Sequence, residues 1–204
     1  MRMLYHGLWN NNGCCCLPET NTIMIDPAVS PARRLFFALW PPEAVAEALR
    51  QWAILAHAGC GGRVMRPETL HITLAFLGAA DPAMTRTLIE LTRRFTVTPG
   101  RLTLSRFGSF PRTGIVWAGP AAVDPLLDDL HQRLWQALAP SGWAMPAQPF
   151  RPHVTLLRRA ACQALPPEPA LPIVWPYTRC VLVASEPGSR YRVLAHSRSG
   201  RGNA

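Results

Sequence analysis

The strongest constraint in this chain is a four-residue phrase that occurs twice. His71-Ile72-Thr73-Leu74 and His153-Val154-Thr155-Leu156 share the pattern H-x-T-L, each in an apolar, strand-like run and each shortly after a proline, Pro67 or Pro152. Side chains alternate faces along a strand. His71 and Thr73 therefore share one face, as do His153 and Thr155, and the aliphatic residues between them point back into a core. Copies that begin at positions 71 and 153 are too far apart for a solenoid repeat, whose periods are about 20–50 residues. They fit two lobes of similar plan. Strands set side by side about a pseudo-twofold axis would bring two imidazoles and two hydroxyls around one point.

The surrounding pattern supplies the rest of such a fold. An apolar strand over 35–40 is followed by Pro41-Pro42, which opens a helix over 43–58 because the first helical turn tolerates the missing N–H. Gly59, Gly61 and Gly62 stop that helix. A short extended piece over 63–65 leads to a turn at 67–69 and the first histidine strand over 70–77, which Gly78 is expected to end. Asp81-Pro82 reads as a cap followed by a first-turn proline, starting a helix that reaches about residue 95. Residues 101–107 alternate as a strand, 108–114 connect, and 115–118 return as its hairpin partner. A third helix spans 124–138 with Leu126, Leu127, Leu130, Leu134, Ala137 and Leu138 on its apolar stripe. The second histidine strand, 154–157, follows a Pro/Gly-rich loop. An apolar extended run over 173–185 and a strand over 191–196 close a second hairpin around Pro187-Gly188-Ser189. Strands joined by hairpins as well as helices argue for an α+β fold with largely antiparallel sheets.

Residues 1–32 lack any sustained period and are expected to form a poorly ordered extension. Residues 33–197 would be one bilobal domain, and 198–204 a loose tail. No apolar run is long enough to span a bilayer, and no secretory signal is read at the amino terminus, so the expected setting is a monomer in the cytoplasm. All 21 basic residues are Arg, against 12 acidic ones, for a formal net charge of +9. Such a surface concentrates phosphate-bearing ligands. Six cysteines, three of them consecutive (Cys14, Cys15, Cys16), match no zinc or redox spacing. A disulfide framework is not expected, and no chemistry is assigned to Cys60, Cys162 or Cys180.

Two imidazoles facing one group suit a phosphodiester. A neutral imidazole can take a proton from attacking water, and a protonated one can give a proton to the departing oxygen; an unperturbed pKa of about 6.5 serves both. Threonine hydroxyls can donate to non-bridging oxygens where charge develops. No cofactor is needed, and two histidines without a nearby Cys or carboxylate cluster are too few for a zinc site.

The phrases RPETLHITLAFLG (residues 66–78) and PFRPHVTLLR (149–158), with RLFFALWPP, RFGSFPRTGIVWAG and SEPGSRYRVLAHS elsewhere, resemble the two-histidine phosphoesterases. They are most similar to the RNA 2′,3′-cyclic phosphodiesterase, or 2′-5′ RNA ligase, group (LigT/ThpR). The resemblance covers about residues 34–196. It implies a pseudo-twofold LigT-like fold, with two antiparallel sheets flanking a central cleft and helices outside. It implies hydrolysis of a terminal RNA 2′,3′-cyclic phosphate to a 2′-phosphomonoester, with RNA ends (tRNA fragments included) or small cyclic nucleotides as partners. Family members are also associated with joining RNA ends through a 2′-5′ bond. By motif position His71 would donate the proton to the leaving 3′-oxygen, His153 would activate water, and Thr73 and Thr155 would bind phosphate.

The fifth position after each histidine differs, Phe76 against Arg158. Strict alternation puts Arg158 on the face away from His153, so its contact with phosphate requires a bend. Arg151 has the right parity if Pro152 stays extended. Both are substrate-binding candidates. Rival readings are a phosphoesterase acting on a small cyclic nucleotide or a 2′-5′ oligonucleotide, and a non-catalytic RNA- or nucleotide-binding module. Phe36, Phe37 and Trp40 are expected in the core, with one aromatic free to stack on a base.

Overall fold

The computed structural model describes residues 33–188 and 190–201. The extension over 1–32, with the Cys14–Cys16 run, lies outside them. In chain order the elements are β1 (Arg33–Leu39), α1 (Glu43–Cys60), β2 (Arg63–Val64), a 3-10 turn at Pro67–Thr69, β3 (Ile72–Ala80), α2 (Pro82–Arg94), β4 (Thr96–Val97), β5 (Gly100–Leu104), β6 (Arg106–Phe110), β7 (Ile115–Gly119), α3 (Pro125–Leu138), β8 (Val154–Arg158), β9 (Ile173–Tyr177), β10 (Val181–Glu186), β11 (Arg190–His196) and β12 (Arg198–Ser199). The α+β class stands.

Eight strands form one sheet in the order β11-β10-β1-β3-β8-β7-β6, with β2 added against β8. Its pairings are all antiparallel. The two expected sheets are its halves, β11-β10-β1-β3 and β8-β7-β6. They meet edge to edge at a single register pair, Ile72 with Val154.

Strand parity separates two apolar layers. On one face Leu35, Phe37, Leu39, Leu182 and Ala184 join the main core, together with Ile72, Val154 and Leu156. The helices pack on this side, α1 against β8 and α2 against β10 and β11. Burying each such Leu, Ile or Phe side chain contributes about 1.5–3 kcal/mol. On the other face Phe36, Ala38, Val181 and Val183 make a smaller cluster with Trp40 and Tyr191. That second face is the cleft. The helix starts are local: the Asp81 carboxylate accepts from Met84 N–H at 2.7 Å, and Asp124 from Leu126 N–H at 2.9 Å. Each follows the cap-then-proline pattern and is worth about 1 kcal/mol.

Four expectations need correction. Gly78 does not end the first histidine strand. It takes a left-handed φ of 75° inside β3, at a bulge where Leu77 is the extra residue, and the strand runs on to Ala80. The expected strand over 101–107 is two strands. Gly100–Leu104 leaves the main sheet and pairs with β9, and only Arg106–Phe110 forms the hairpin with β7. The stretch expected as a loose tail begins with an ordered piece: Arg198 and Ser199 pair in parallel with Thr96 and Val97. Finally, Cys60 at the end of α1 is disulfide-bonded to Cys162 beyond β8. The Ala161 N–H donates to the Cys60 carbonyl at 3.0 Å and draws the two segments together. A pairing this distant in sequence leaves no local signal. Cys180 is a buried free thiol, pushed up to about 11 mainly by burial.

Candidate active site

The seam between the two half-sheets fixes the four motif residues. Ile72 and Val154 face each other and point into the core, both fully buried. His71 and Thr73 flank Ile72, and His153 and Thr155 flank Val154. Alternation along the strands turns all four toward the opposite, cleft face.

The two imidazoles are anchored alike. The Nδ1–H of His71 donates to the Thr69 carbonyl at 2.7 Å, and that of His153 to the Arg151 carbonyl, also at 2.7 Å. Both acceptors lie two residues before the histidine. The bond fixes the neutral tautomer and leaves Nε2 as the nitrogen able to accept or donate a proton. The 3-10 turn holds the first anchor, with the Thr69 hydroxyl donating to the Arg66 carbonyl at 2.7 Å.

Beyond the threonines each strand bulges at the same point of its motif. Phe37 pairs with Ala75 and Ala38 with Thr73, which leaves Leu74 as an extra residue. Val116 pairs with Leu157 and Trp117 with Thr155, which leaves Leu156 extra. A bulge inserts one unpaired residue and so reverses the alternation beyond it. Phe76 and Arg158, which strict alternation would bury on the far side, are thereby carried onto the cleft face and are both exposed. The bend that Arg158 requires is this bulge. Gly62 closes the corner behind it: at φ 84° it lies so near the Arg158 carbonyl that a Cβ there would be 2.7 Å away. Arg151 is exposed at the mouth of the cleft and lines a cavity together with His153.

Around this symmetric frame the surroundings differ. His71 is enclosed by Trp40, stacked nearly parallel at 5.6 Å, by Phe36 at 4.9 Å and by Tyr191, edge-on at 5.3 Å. Burial in this cage pushes its pKa down to about 4; the Thr69 carbonyl opposes the shift, while the charges of His153 and Arg158 add to it. His153 meets Phe110 edge-on at 5.1 Å and Trp117 at 6.1 Å. Its pKa is lowered as well, by burial, against the Arg151 carbonyl. Trp117 lies across Gly108, its cross-strand partner, where a Cβ would collide with the indole. Beside His153 opens a cavity of about 310 Å³.

Tyr191, Phe110 and Trp117 are the site residues that the sequence did not single out, and Phe36 and Trp40, expected in the core, instead pack against His71, apart from the main core that holds Phe37. The parity of Phe36, Ala38 and Trp40 carried a partial signal. Tyr191 arrives from the far end of the chain through the pairing of β11 with β10. His131 is structural: its Nε2 accepts from the Trp135 indole at 3.0 Å, and it stacks on Phe150 at 3.9 Å. Among the described residues no three His, Cys, Asp or Glu side chains come together as a metal site, and no helix is long and apolar enough to cross a membrane.

Known proteins carry the same frame. Residues 41–184 match the family model of the 2′-5′ RNA ligase superfamily. The chain belongs to that superfamily. Among its relatives is the RNA 2′,3′-cyclic phosphodiesterase of Escherichia coli strain K12, 32% identical over 77% of this chain and 89% of that protein. The protein of the same name from Thermus thermophilus is 31% identical over 79% of this chain and 87% of its own length. The crystal structure of E. coli LigT complexed with 3′-AMP superposes with a TM-score of 0.75 at 31% identity, covering 83% of this chain and 99% of that one. The LigT-like α+β architecture is therefore that of the superfamily's solved members.

Proposed function

We propose that this chain hydrolyses RNA 2′,3′-cyclic phosphate ends to 2′-phosphomonoesters, with His71 and His153 as the acid–base pair. The observation that carries the reading is the seam geometry: two histidines, each tied through Nδ1 to a backbone carbonyl, on the two strands that meet at Ile72 and Val154. The names of the relatives support the same activity.

The chemistry follows from the difference between the two rings. His153 Nε2 takes the proton of water as its oxygen attacks phosphorus. His71 Nε2 gives a proton to the departing 3′-oxygen. An imidazole held near pKa 4 is, once protonated, the stronger acid and the better donor to an alkoxide. Burial keeps both rings neutral at pH 7 before substrate arrives. The negative charge of a bound phosphodiester favours protonation of His71, because an opposite charge close by stabilises the charged form. Thr73 and Thr155 donate to the non-bridging oxygens, and Arg158, carried in by its bulge, offsets the charge that builds there. Arg151 is a second phosphate contact at the mouth. With this reading goes a cytoplasmic monomer acting on RNA, tRNA fragments included; gel filtration and assay on such fragments test those points.

The decisive experiment offers purified protein adenosine 2′,3′-cyclic phosphate, and an RNA ending in the same group, with EDTA present, and identifies the product by phosphorus NMR. The expected product is the 2′-phosphate. A 3′-phosphate would reverse the leaving group, and no turnover of either substrate would sink the enzyme reading.

A further inference from the structure

The end of the second histidine strand is held by a covalent clamp. Arg158, the last residue of β8, pairs with Arg63, and Leu157 pairs with Val64; these two pairs take up the whole of β2. Two guanidinium side chains therefore stand directly opposite each other, and like charges so placed push their strands apart. The next residue, Arg159, holds a left-handed φ of 57°. A residue with a Cβ rarely adopts that region and stays there only where its surroundings impose it. Three ties do so. The Ala160 N–H donates to the Gly114 carbonyl at 2.9 Å, the Ala161 N–H donates to the Cys60 carbonyl at 3.0 Å, and the Cys162 sulfur is bonded to that of Cys60. Cys60 lies just before Arg63 and Cys162 just after Arg159, so the disulfide closes the ladder where the repulsion and the strained residue both lie. From Cys162 to Pro172 the chain is irregular, and β9 begins only at Ile173.

Resting on the proposed reading, in which Arg158 meets the phosphate, we propose that Cys60 and Cys162 form a reversible redox modification site that positions Arg158. Closed, the disulfide keeps Arg158 on the cleft face. Opened, it frees the Arg63–Arg158 pair to separate and Arg159 to return to ordinary backbone, and Arg158 leaves the phosphate. The chemistry is thiol–disulfide exchange with a dithiol reductant. Cys60 is 3% exposed, whereas Cys162 is half-buried, so the reductant's thiolate attacks Cys162 Sγ. The S–S bond breaks, and Cys60 leaves as a thiolate that takes up a proton. The reductant's second thiol then attacks the reductant sulfur of the mixed disulfide and releases Cys162 as a thiol. Two electrons and two protons pass to the protein, and the dithiol becomes a disulfide. In the cytoplasm proposed above, thiols are kept reduced and protein disulfides are usually transient and redox-sensing. An oxidising shift there raises the rate of hydrolysis.

The test compares the full chain after oxidation with diamide and after reduction with dithiothreitol, with iodoacetamide labelling of Cys60 and Cys162 read by mass spectrometry. Reduction should lower kcat/KM for adenosine 2′,3′-cyclic phosphate by about tenfold, the scale of one lost charge-assisted bond, and reoxidation should restore it. Equal rates in the two states overturn the switch. Cys162→Ser should match reduced wild type and ignore both reagents; a response that persists in it places the effect on other cysteines and overturns the site. Arg158→Ala separates positioning from general support of the fold, because its oxidised and reduced forms should hydrolyse at the same rate. A further loss on reducing Arg158→Ala, or a loss of far-UV circular dichroism on reducing wild type, makes the bond a staple of the fold and overturns the switch. Calorimetric binding of adenosine 2′-phosphate is independent of turnover. It should weaken when wild type is reduced and stay unchanged when Arg158→Ala is reduced; equal binding by both states of wild type overturns the switch. Wild type that hydrolyses nothing in either state counts against the acid–base reading alone.

Discussion

The two histidine strands are near-copies in backbone and opposites in surroundings. Each anchors its imidazole to a carbonyl two residues back, each buries the aliphatics that flank its threonine, and each bulges at the leucine of its H-x-T-L. Yet His71 sits in a cage of Phe36, Trp40 and Tyr191, whereas His153 borders a cavity beside Phe110 and Trp117. In the proposed reaction the duplicated part supplies a twofold arrangement around phosphorus, which cannot by itself distinguish an acid from a base. The unduplicated neighbours make the distinction by desolvating one ring more than the other. The second residue after each bulge does the same for charge, with Arg158 on one strand and Phe76 on the other.

The largest effect expected is from deleting either imidazole. His71→Ala and His153→Ala should each lower kcat/KM by about 10²–10⁴-fold, and the double variant by much less than the product of the two, because the pair acts as a unit. Near-wild-type rates in either single variant would remove it from catalysis. Arg158→Ala comes next. A lost charge-assisted bond of about 1.5–3 kcal/mol corresponds to roughly 10–150-fold in kcat/KM. Phe76→Ala should raise KM with little change in kcat; equal effects of the two variants on kcat would erase the charge asymmetry inferred from the bulges.

The pH profile tests the desolvation difference. Both folded-state pKa values lie below the ordinary histidine value, that of His71 at about 4. In the proposed reaction the singly protonated pair is the active form, so the kcat/KM bell, which reports the free enzyme, should peak on the acid side of 6.5. The kcat bell should lie at higher pH, because bound phosphate raises His71. A peak in kcat/KM above pH 7 contradicts the cage argument. The same shift carries a stability consequence. A histidine with a depressed folded pKa stabilises the fold in its neutral form, a contribution present above about 6.5 and lost as pH falls toward 4. The smallest effect is from Trp40→Leu, which opens one side of the cage. NMR titration should show the His71 pKa rising toward its ordinary value, with His153 unmoved.

Much of this was legible in one dimension. The strand parity of H-x-T-L placed both histidines and both threonines on one face, and the cap-then-proline pairs located α2 and α3. Naming His71 and His153 as the proposed acid–base pair needed no coordinates. Where the reading failed, the missing information was a partner. Residues 101–107 alternate as one strand, but β9 claims the first half and β7 the second. Gly78 looked like a stop because nothing local says that β1 continues beside it. The Cys60–Cys162 bond joins segments that only the fold brings together.

Arg158 shows the division most sharply. The sequence alone determined which residue stands five places after His153, and that simple alternation turns it away from the cleft. Whether it reaches the cleft depends on the register between β8 and β7. A bulge is a mismatch between two strands and exists in neither of them alone. The same holds for the cage about His71, whose members come from β1, from the step after it, and from β11. Desolvation is the sum of what surrounds a group, and only the tertiary structure performs that sum.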